Sequence, residues 1–173
     1  MNRSICILLS LFALPSMAPA QTCVSKIFPT TDARDYNTNN NGTVIDAVEQ
    51  LIWQRCALGQ TWKNENCVGK AKLAGWIQAK NLAADLNKNT SSNWRLPSTY
   101  ELSRITELGC ENPAINLQLF PNAPSIHFWT SVEFVNDTNK AWLVFFGTGE
   151  NHTAKKSTKA AIRLVRTIRK QNN

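Results

Sequence analysis

Four cysteines constrain this chain more than any other feature. The first twenty residues carry the marks of a secretory leader: Arg3 near the start, an apolar run from Ile5 to Leu14 too short to span a bilayer, and small residues in Ala18-Pro19-Ala20 ahead of Gln21. Loss of residues 1–20 removes one of the five cysteines, Cys6, and leaves Cys23, Cys56, Cys67 and Cys110. An even set of cysteines in an exported chain points to two disulfides. Three pairings are possible. The polar, turn-rich stretch Leu58–Asn66 favours a local bridge, Cys56–Cys67, which leaves Cys23–Cys110 to tie the N-terminal arm to the middle of the domain. In the chain-entropy treatment each bridge contributes roughly 3–5 kcal/mol. No Cys-x-x-Cys is present, so a redox-active role for these thiols is not expected.

The rest of the chain supplies enough apolar material for one core. It has 173 residues, 43% hydrophobic and 18% charged, with six Trp and seven Phe. That is the composition of a globular domain rather than a disordered polyelectrolyte. No repeat of 20–50 residues appears, which argues against solenoids and propellers. After residue 20 no stretch is long and apolar enough to cross a membrane.

Local patterns predict an α+β domain with helices and sheet segregated. Residues 21–41 read as an arm ending in Asn39-Asn40-Asn41-Gly42, a turn signal. Val44-Ile45 and Leu51–Gln54 read as a hairpin around Asp46–Gln50. From Lys72 onward Leu73, Trp76, Ile77, Leu82, Ala83 and Leu86 fall on one face at 3.6 residues per turn, predicting a first helix with that face inward. In Leu96-Pro97-Ser98-Thr99-Tyr100-Glu101, Pro97 favours extended backbone before it, and Ser98 with Glu101 forms a capping box. A second helix is expected through Leu102, Ile105 and Leu108, stopping near Gly109. Strands are expected at Phe128–Val135, Ala141–Phe146 and Ala161–Ile168. The last should place Ile162, Leu164 and Arg166 on one side and Arg163 on the other. Residues 151–159 read as a polar, basic connection.

Chemistry is sparse. No nucleophile–base pair, carboxylate pair on one helix face, phosphate loop, His-Glu-x-x-His or EF-hand loop is present. The chain has two His, and no Cys/His cluster for zinc. A non-enzymatic protein with no cofactor is therefore expected. Asn136, Asp137 and Asn139 carry oxygens that suit Ca²⁺, although a turn needs the same residue types. The one charge signal is cationic. Losing Arg3 with the leader takes the formal charge of +7 to +6. Lys155, Lys156, Lys159, Arg163, Arg166, Arg169 and Lys170 crowd into a short C-terminal stretch. Such a cluster attracts sulfated or carboxylated polymers, and Arg suits bidentate contacts to them. A solvated face and a basic tail at 169–173 would carry the same residues. Trp129, Trp142, Phe145 and Phe146 are candidates to stack on sugars, with core packing the competing use.

Several motifs in order then resemble one known family. They are Gly42-Thr43-Val44-Ile45-Asp46, Leu51-Ile52-Trp53-Gln54-Arg55-Cys56-Ala57-Leu58-Gly59-Gln60-Thr61-Trp62, Trp94-Arg95-Leu96-Pro97-Ser98 with Glu101-Leu102, Cys110–Asn116, Phe120-Pro121, Phe128-Trp129-Thr130-Ser131, and Ile162–Arg166. The stretch 42–168 resembles the domain at the C-terminus of the Legionella collagen-like (Lcl) adhesin. The resemblance implies a C-type-lectin-like fold related to the formylglycine-generating-enzyme architecture. It also implies export to the periplasm or cell surface, and binding to sulfated glycans. No collagen-like repeat precedes the domain, and the Glu-Pro-Asn calcium–sugar motif of C-type lectins is absent, so any sugar binding is expected to be calcium-independent. The expected partner is an anionic polysaccharide and not a nucleic acid. The alternative is a protein: an interaction subunit accessory to a pilus or secretion apparatus. Oligomeric state is left open by the sequence.

Overall fold

The computed structural model describes residues 20–24, 29–88 and 92–168. The leader reading at 1–19 and the basic tail at 169–173, with Arg169 and Lys170, lie outside the described residues. In chain order the elements are β1 (Thr22–Cys23), β2 (Tyr36–Thr38), β3 (Thr43–Asp46), β4 (Leu51–Gln54), β5 (Thr61–Lys63), β6 (Asn66–Val68), α1 (Trp76–Lys88), α2 (Thr99–Arg104), β7 (Cys110–Glu111), β8 (His127–Glu133), β9 (Lys140–Phe145), β10 (Glu150–Lys155) and β11 (Val165–Thr167). This is a mostly-sheet α+β domain with two helices. Its sheets are β11-β4-β3-β2 and β10-β9-β8, with two-stranded ribbons β5-β6 and β1-β7.

Both disulfides form as the spacing favoured, Cys56–Cys67 and Cys23–Cys110. The hairpin β3–β4 also forms, its buried residues alternating as Val44, Asp46, Leu51 and Trp53. The Ser98 capping box is present: Glu101 N donates to the Ser98 hydroxyl, and Ser98 N to the Glu101 carboxylate. Helix α2 nevertheless ends at Arg104. Leu102 and Ile105 are buried while Leu108 is exposed.

Four expectations are corrected. Helix α1 starts at Trp76, not Lys72, and buries Trp76, Ala79 and Ala83. Leu73, Ile77 and Leu86, placed inward by periodicity, are 50%, 55% and 40% exposed. Beyond Trp76 the inward stripe is small, Ala79 and Ala83, which pack in the same cluster as Trp129, Ala141 and Leu143. Residues 150–155 are strand β10, not part of a polar connection. Its side chains are mostly exposed, so it carries no alternation to read. The stretch 161–168 is strand only at β11, which pairs with β4. Residues 160–164 run extended and buried between the two large sheets. There Ala160 pairs with Ala74, Ala161 bonds to His127 and Trp129, and the carbonyls of Ile162 and Leu164 accept from Leu58 and Gln54. Lastly, Leu58–Asn66 is not only loop: it contains most of the β5–β6 hairpin, which turns at Asn64 and Glu65, both with positive φ.

Two adjoining clusters make the core. One gathers Trp53, Leu102, Ile105, Ile115, Phe120, Phe128, Val144 and Phe146. The other places Trp76 and Ala79 of α1 on Trp129, Leu143, Ile162 and Leu164. Strands β8 and β9 therefore face buried residues on both sides for part of their length, as their apolar sequences require.

Candidate functional site

The open end of the β8–β9–β10 sheet collects the cationic side chains. Antiparallel register puts Lys155 opposite Lys140 and Thr153 opposite Trp142. Directly opposed residues share a face, so Lys140, Trp142, Thr153 and Lys155 lie together on one side of the sheet. Trp142 is half-buried there, with Phe134 edge-on to it at a centroid distance of 5.5 Å. On the other side of the same end, Lys156 Nζ lies 4.6 Å from the Trp76 ring centroid and Lys80 Nζ 4.3 Å from it. Trp76 is itself buried, its indole donating to the Thr130 carbonyl at 2.8 Å. Lys159 is exposed in the turn that follows.

Carboxylates neutralise part of this cluster. Lys156 pairs with Glu133 at 3.1 Å and Lys140 with Asp137 at 3.3 Å. Among the described residues Lys155 and Lys159 carry no ion pair. Lys80, Lys140, Lys155, Lys156 and Lys159 thus face Glu133 and Asp137, leaving surplus positive charge at this end.

Asp137 completes a turn, with Asn139 N donating to its carboxylate at 3.0 Å. That bond is the chief reason the Asp137 carboxyl sits below its usual range; desolvation opposes it, and the Lys140 ammonium adds to the lowering. Its oxygens are thereby committed to the β8–β9 connection, and no group of three acidic, His or Cys side chains able to hold a metal occurs among the described residues. Asn136 is exposed in the same turn.

Arg163 and Arg166 do not join the lysines. Arg163 is fully buried, its guanidinium 4.7 Å from the Phe120 ring centroid and 5.5 Å from that of Phe128. Its Nη1 donates to the carbonyls of Gln54 and Arg55. Burial pushes its pKa down to about 9, which still leaves it a cation at neutral pH. A surface ligand has no route to it, so Arg163 belongs to the core and not to a binding face. The alternation expected of a strand at 161–168 fails because this stretch is enclosed on both sides. Arg166 lies on the other sheet, over the Trp94 ring at 5.0 Å.

Of the aromatic candidates, Trp129 and Phe146 are core, while Trp142 and Phe145 are half-buried. Sequence reading missed Lys80, Lys140 and Phe134. Only Lys140 had a local signal, as the residue opening an aromatic strand. Elsewhere two clefts of about 780 and 770 Å³ flank Gln21. The first is apolar, lined by Val68, Ala71, Leu73, Leu117 and Ile126. The second runs between the arm and Glu107–Gln118. Gln21 separates them, its amide donating to the carbonyls of Pro113 and Ile115 at 2.6 and 2.8 Å.

Two disulfides on a small two-sheet α+β scaffold, with no helix among the described residues long and apolar enough to cross a membrane, fit a protein of an oxidising compartment, extracellular or periplasmic. The chain belongs to the Lcl C-terminal domain family, whose pattern matches residues 42–166. Membership points to an adhesin-like extracellular module. No curated protein matches the chain.

Proposed function

We propose that the protein is an exported, non-enzymatic binding module on a C-type-lectin-like scaffold. It recognises anionic glycans, sulfated or carboxylated, at the basic end of the β8–β9–β10 sheet and without calcium. The observation that carries this reading is the shared sheet face of Lys140, Trp142 and Lys155, with exposed Lys159 in the segment that follows β10. A half-exposed indole supplies a plane for a sugar ring, and the ammonium groups of Lys155 and Lys159, which have no ion-pair partners among the described residues, supply most of the charge, with Lys140 shared with Asp137.

Heparin affinity of the exported protein across a salt series tests this. Binding should weaken steadily with salt, since surface charges are screened over about 10 Å at 0.1 M. A chelator should change nothing. Trp142→Ala should cost about 1 kcal/mol, roughly fivefold in affinity, by loss of stacking. Lys155→Ala with Lys159→Ala should flatten the salt dependence. Salt-independent retention, or none at low salt, would refute the electrostatic mechanism.

The apolar cleft along Val68, Leu73 and Ile126 supports a second reading, a protein-interaction subunit, because Val68 and Leu73 are 41% and 50% exposed there. A tight protein partner whose binding is abolished by Leu73→Asp and indifferent to Trp142→Ala would favour it.

A further inference from the structure

The two large sheets have four edges, and three of them are short or covered. Strand β2 is three residues long. The free side of β11 is bonded to Arg95, which exchanges both backbone bonds with Val165. The free side of β8 is covered by Ala161, which accepts from Trp129 N at 3.0 Å and donates to the His127 carbonyl at 2.9 Å. Strand β10 is the exception: six residues, Glu150–Lys155, free of proline and paired with β9 throughout without a shift in register. Natural sheets rarely leave such an edge bare.

The outward groups of β10 follow from the ladder. Lys156 N donates to the Asn139 carbonyl at 2.8 Å. Counting back by two, Ala154, His152 and Glu150 turn their backbone groups toward β9, so Asn151, Thr153 and Lys155 turn theirs outward. The Lys155 carbonyl confirms the parity, since it is taken by Thr158 N on the outer side at 2.8 Å. Among the described residues no backbone group from another strand reaches this edge.

We propose that β10 pairs antiparallel with β10 of a second copy of this chain, centred on Thr153, making one six-stranded sheet. This register matches outward group to outward group: Thr153 bonds reciprocally to its own copy, and Lys155 N reaches the Asn151 carbonyl across the axis, four backbone bonds in all. The second copy, rather than an unrelated strand, is favoured by charge. The strand is acidic at its start and basic at its end, so Glu150 of each chain stands opposite Lys156 of the other, and Asn151 opposite Lys155. Cross-strand pairs of opposite charge at such positions stabilise the pairing, here twice by symmetry as Glu150 with Lys156.

The pairing also deepens the glycan reading, on which this last step rests. Thr153 lies opposite Trp142 within each chain. The row Trp142–Thr153–Thr153–Trp142 then crosses the joined sheet on one face. It sets two indoles with their flanking lysines about 14 Å apart, at roughly 4.8 Å per strand. A linear polyanion could engage both at once, with the gain that comes from linking two sites.

Sedimentation velocity over a concentration series tests the pairing. Wild type should approach twice the single-chain mass. Thr153→Pro removes an N–H that β9 does not use, so it should keep its far-UV circular dichroism yet stay at single-chain mass. Glu150→Lys, which leaves the backbone intact, should raise the dissociation constant of the dimer about tenfold. Wild type at single-chain mass throughout overturns the proposal, and so does a Thr153→Pro protein that dimerises as well as wild type. In wild type, long heparin chains should bind at least about tenfold tighter per chain than short oligosaccharides, and dilution below the dimer dissociation constant should remove that gain. A dimer obeying these variants but binding no heparin supports the pairing and counts against the glycan reading alone.

Discussion

Arg163 offers the sharpest test of how this core is held together. The side chain is fully buried, among the described residues it has no carboxylate partner, and its Nε and Nη2 have no hydrogen-bond acceptor. Burial lowers its pKa from the usual guanidinium range to about 9. At 1.36 kcal/mol per unit this weighs about 5 kcal/mol against the charged form. Opposing it are two bonds to backbone carbonyls, roughly 1.5–3 kcal/mol each for a charged donor, and two ring contacts of about 2 kcal/mol or less each. Arg163→Met removes both sides of this balance and keeps the volume, so its net effect should fall within about 3 kcal/mol of zero. Arg163→Lys keeps the buried charge and loses the planar fork that reaches two carbonyls, and should cost about 3–5 kcal/mol. Equilibrium unfolding in guanidinium chloride at neutral pH, without reductant, measures both. The pH dependence has a definite sign. Above about pH 9 and below the ordinary guanidinium value the unfolded chain holds more protons than the folded one, so wild type should gain stability relative to Arg163→Met as pH rises through 9. Below pH 9 the difference should be flat. A Lys variant within 1 kcal/mol of wild type, beside a Met variant that loses more than about 4 kcal/mol, would refute this account. Heparin affinity of the folded Met variant should match wild type, since Arg163 reaches no surface.

Other perturbations follow from the same structure. The Cys23–Cys110 bridge closes a loop of sequence separation 87 and Cys56–Cys67 one of 11. Replacing each pair with serine should cost about 5 and about 3 kcal/mol respectively in the chain-entropy treatment, read from unfolding midpoints. Cys23 is exposed whereas Cys67 is only 1% exposed, so thiol labelling after limited dithiothreitol should mark Cys23 and Cys110 first. Gly42 has a φ of +80°, and a Cβ there would meet Cγ of Trp62 at 2.7 Å. Gly42→Ala should destabilise by about 1–3 kcal/mol, with a red-shifted, more exposed tryptophan emission. Burial alone would raise the Glu101 pKa, but hydrogen bonds from Arg95 and Ser98 outweigh it and leave the carboxyl below 4.5. That stability is present above pH 4.5 and drains as pH falls through the lowered value. Glu101→Gln should lose it at neutral pH and show a flatter acid limb.

The parts of the fold that were legible in the sequence share one property: the determinant is local. Ser98 and Glu101 cap α2 by contacts three residues apart, Val44 and Trp53 alternate inward within a single hairpin, and the Cys56–Cys67 loop is short enough to suggest its own closure. The misreadings come where tertiary contact overrides local pattern. Periodicity placed Trp76 and Ala83 inward correctly but added Leu73 and Ile77 and passed over Ala79, yet a helix lying close to a sheet needs small residues at the interface. Alternation sent Arg163 outward, yet residues 160–164 are wedged between two sheets and have no outward side.

Strand β10 shows why the candidate site was the least legible region. A strand whose side chains mostly face water selects no hydrophobic pattern, and its place in the sheet is fixed by the β9 backbone it pairs with. Those exposed residues are the ones free to vary without cost to the core, and so the ones available to a ligand. Lys155 comes to share a face with Trp142 only through register, thirteen residues away in sequence, and Lys80 meets Lys156 only through the Trp76 ring. A count of basic residues in the C-terminal stretch therefore does not pick out the side chains that share this end of the sheet. It included Arg163, which the core absorbs, and omitted Lys140, which the sheet supplies. Substituting Lys140 should accordingly weaken heparin binding, whereas substituting Arg166, stacked on Trp94 on the other sheet, should leave it unchanged. The reverse ranking would mean that closeness in sequence, not sheet register, assembles the cationic face.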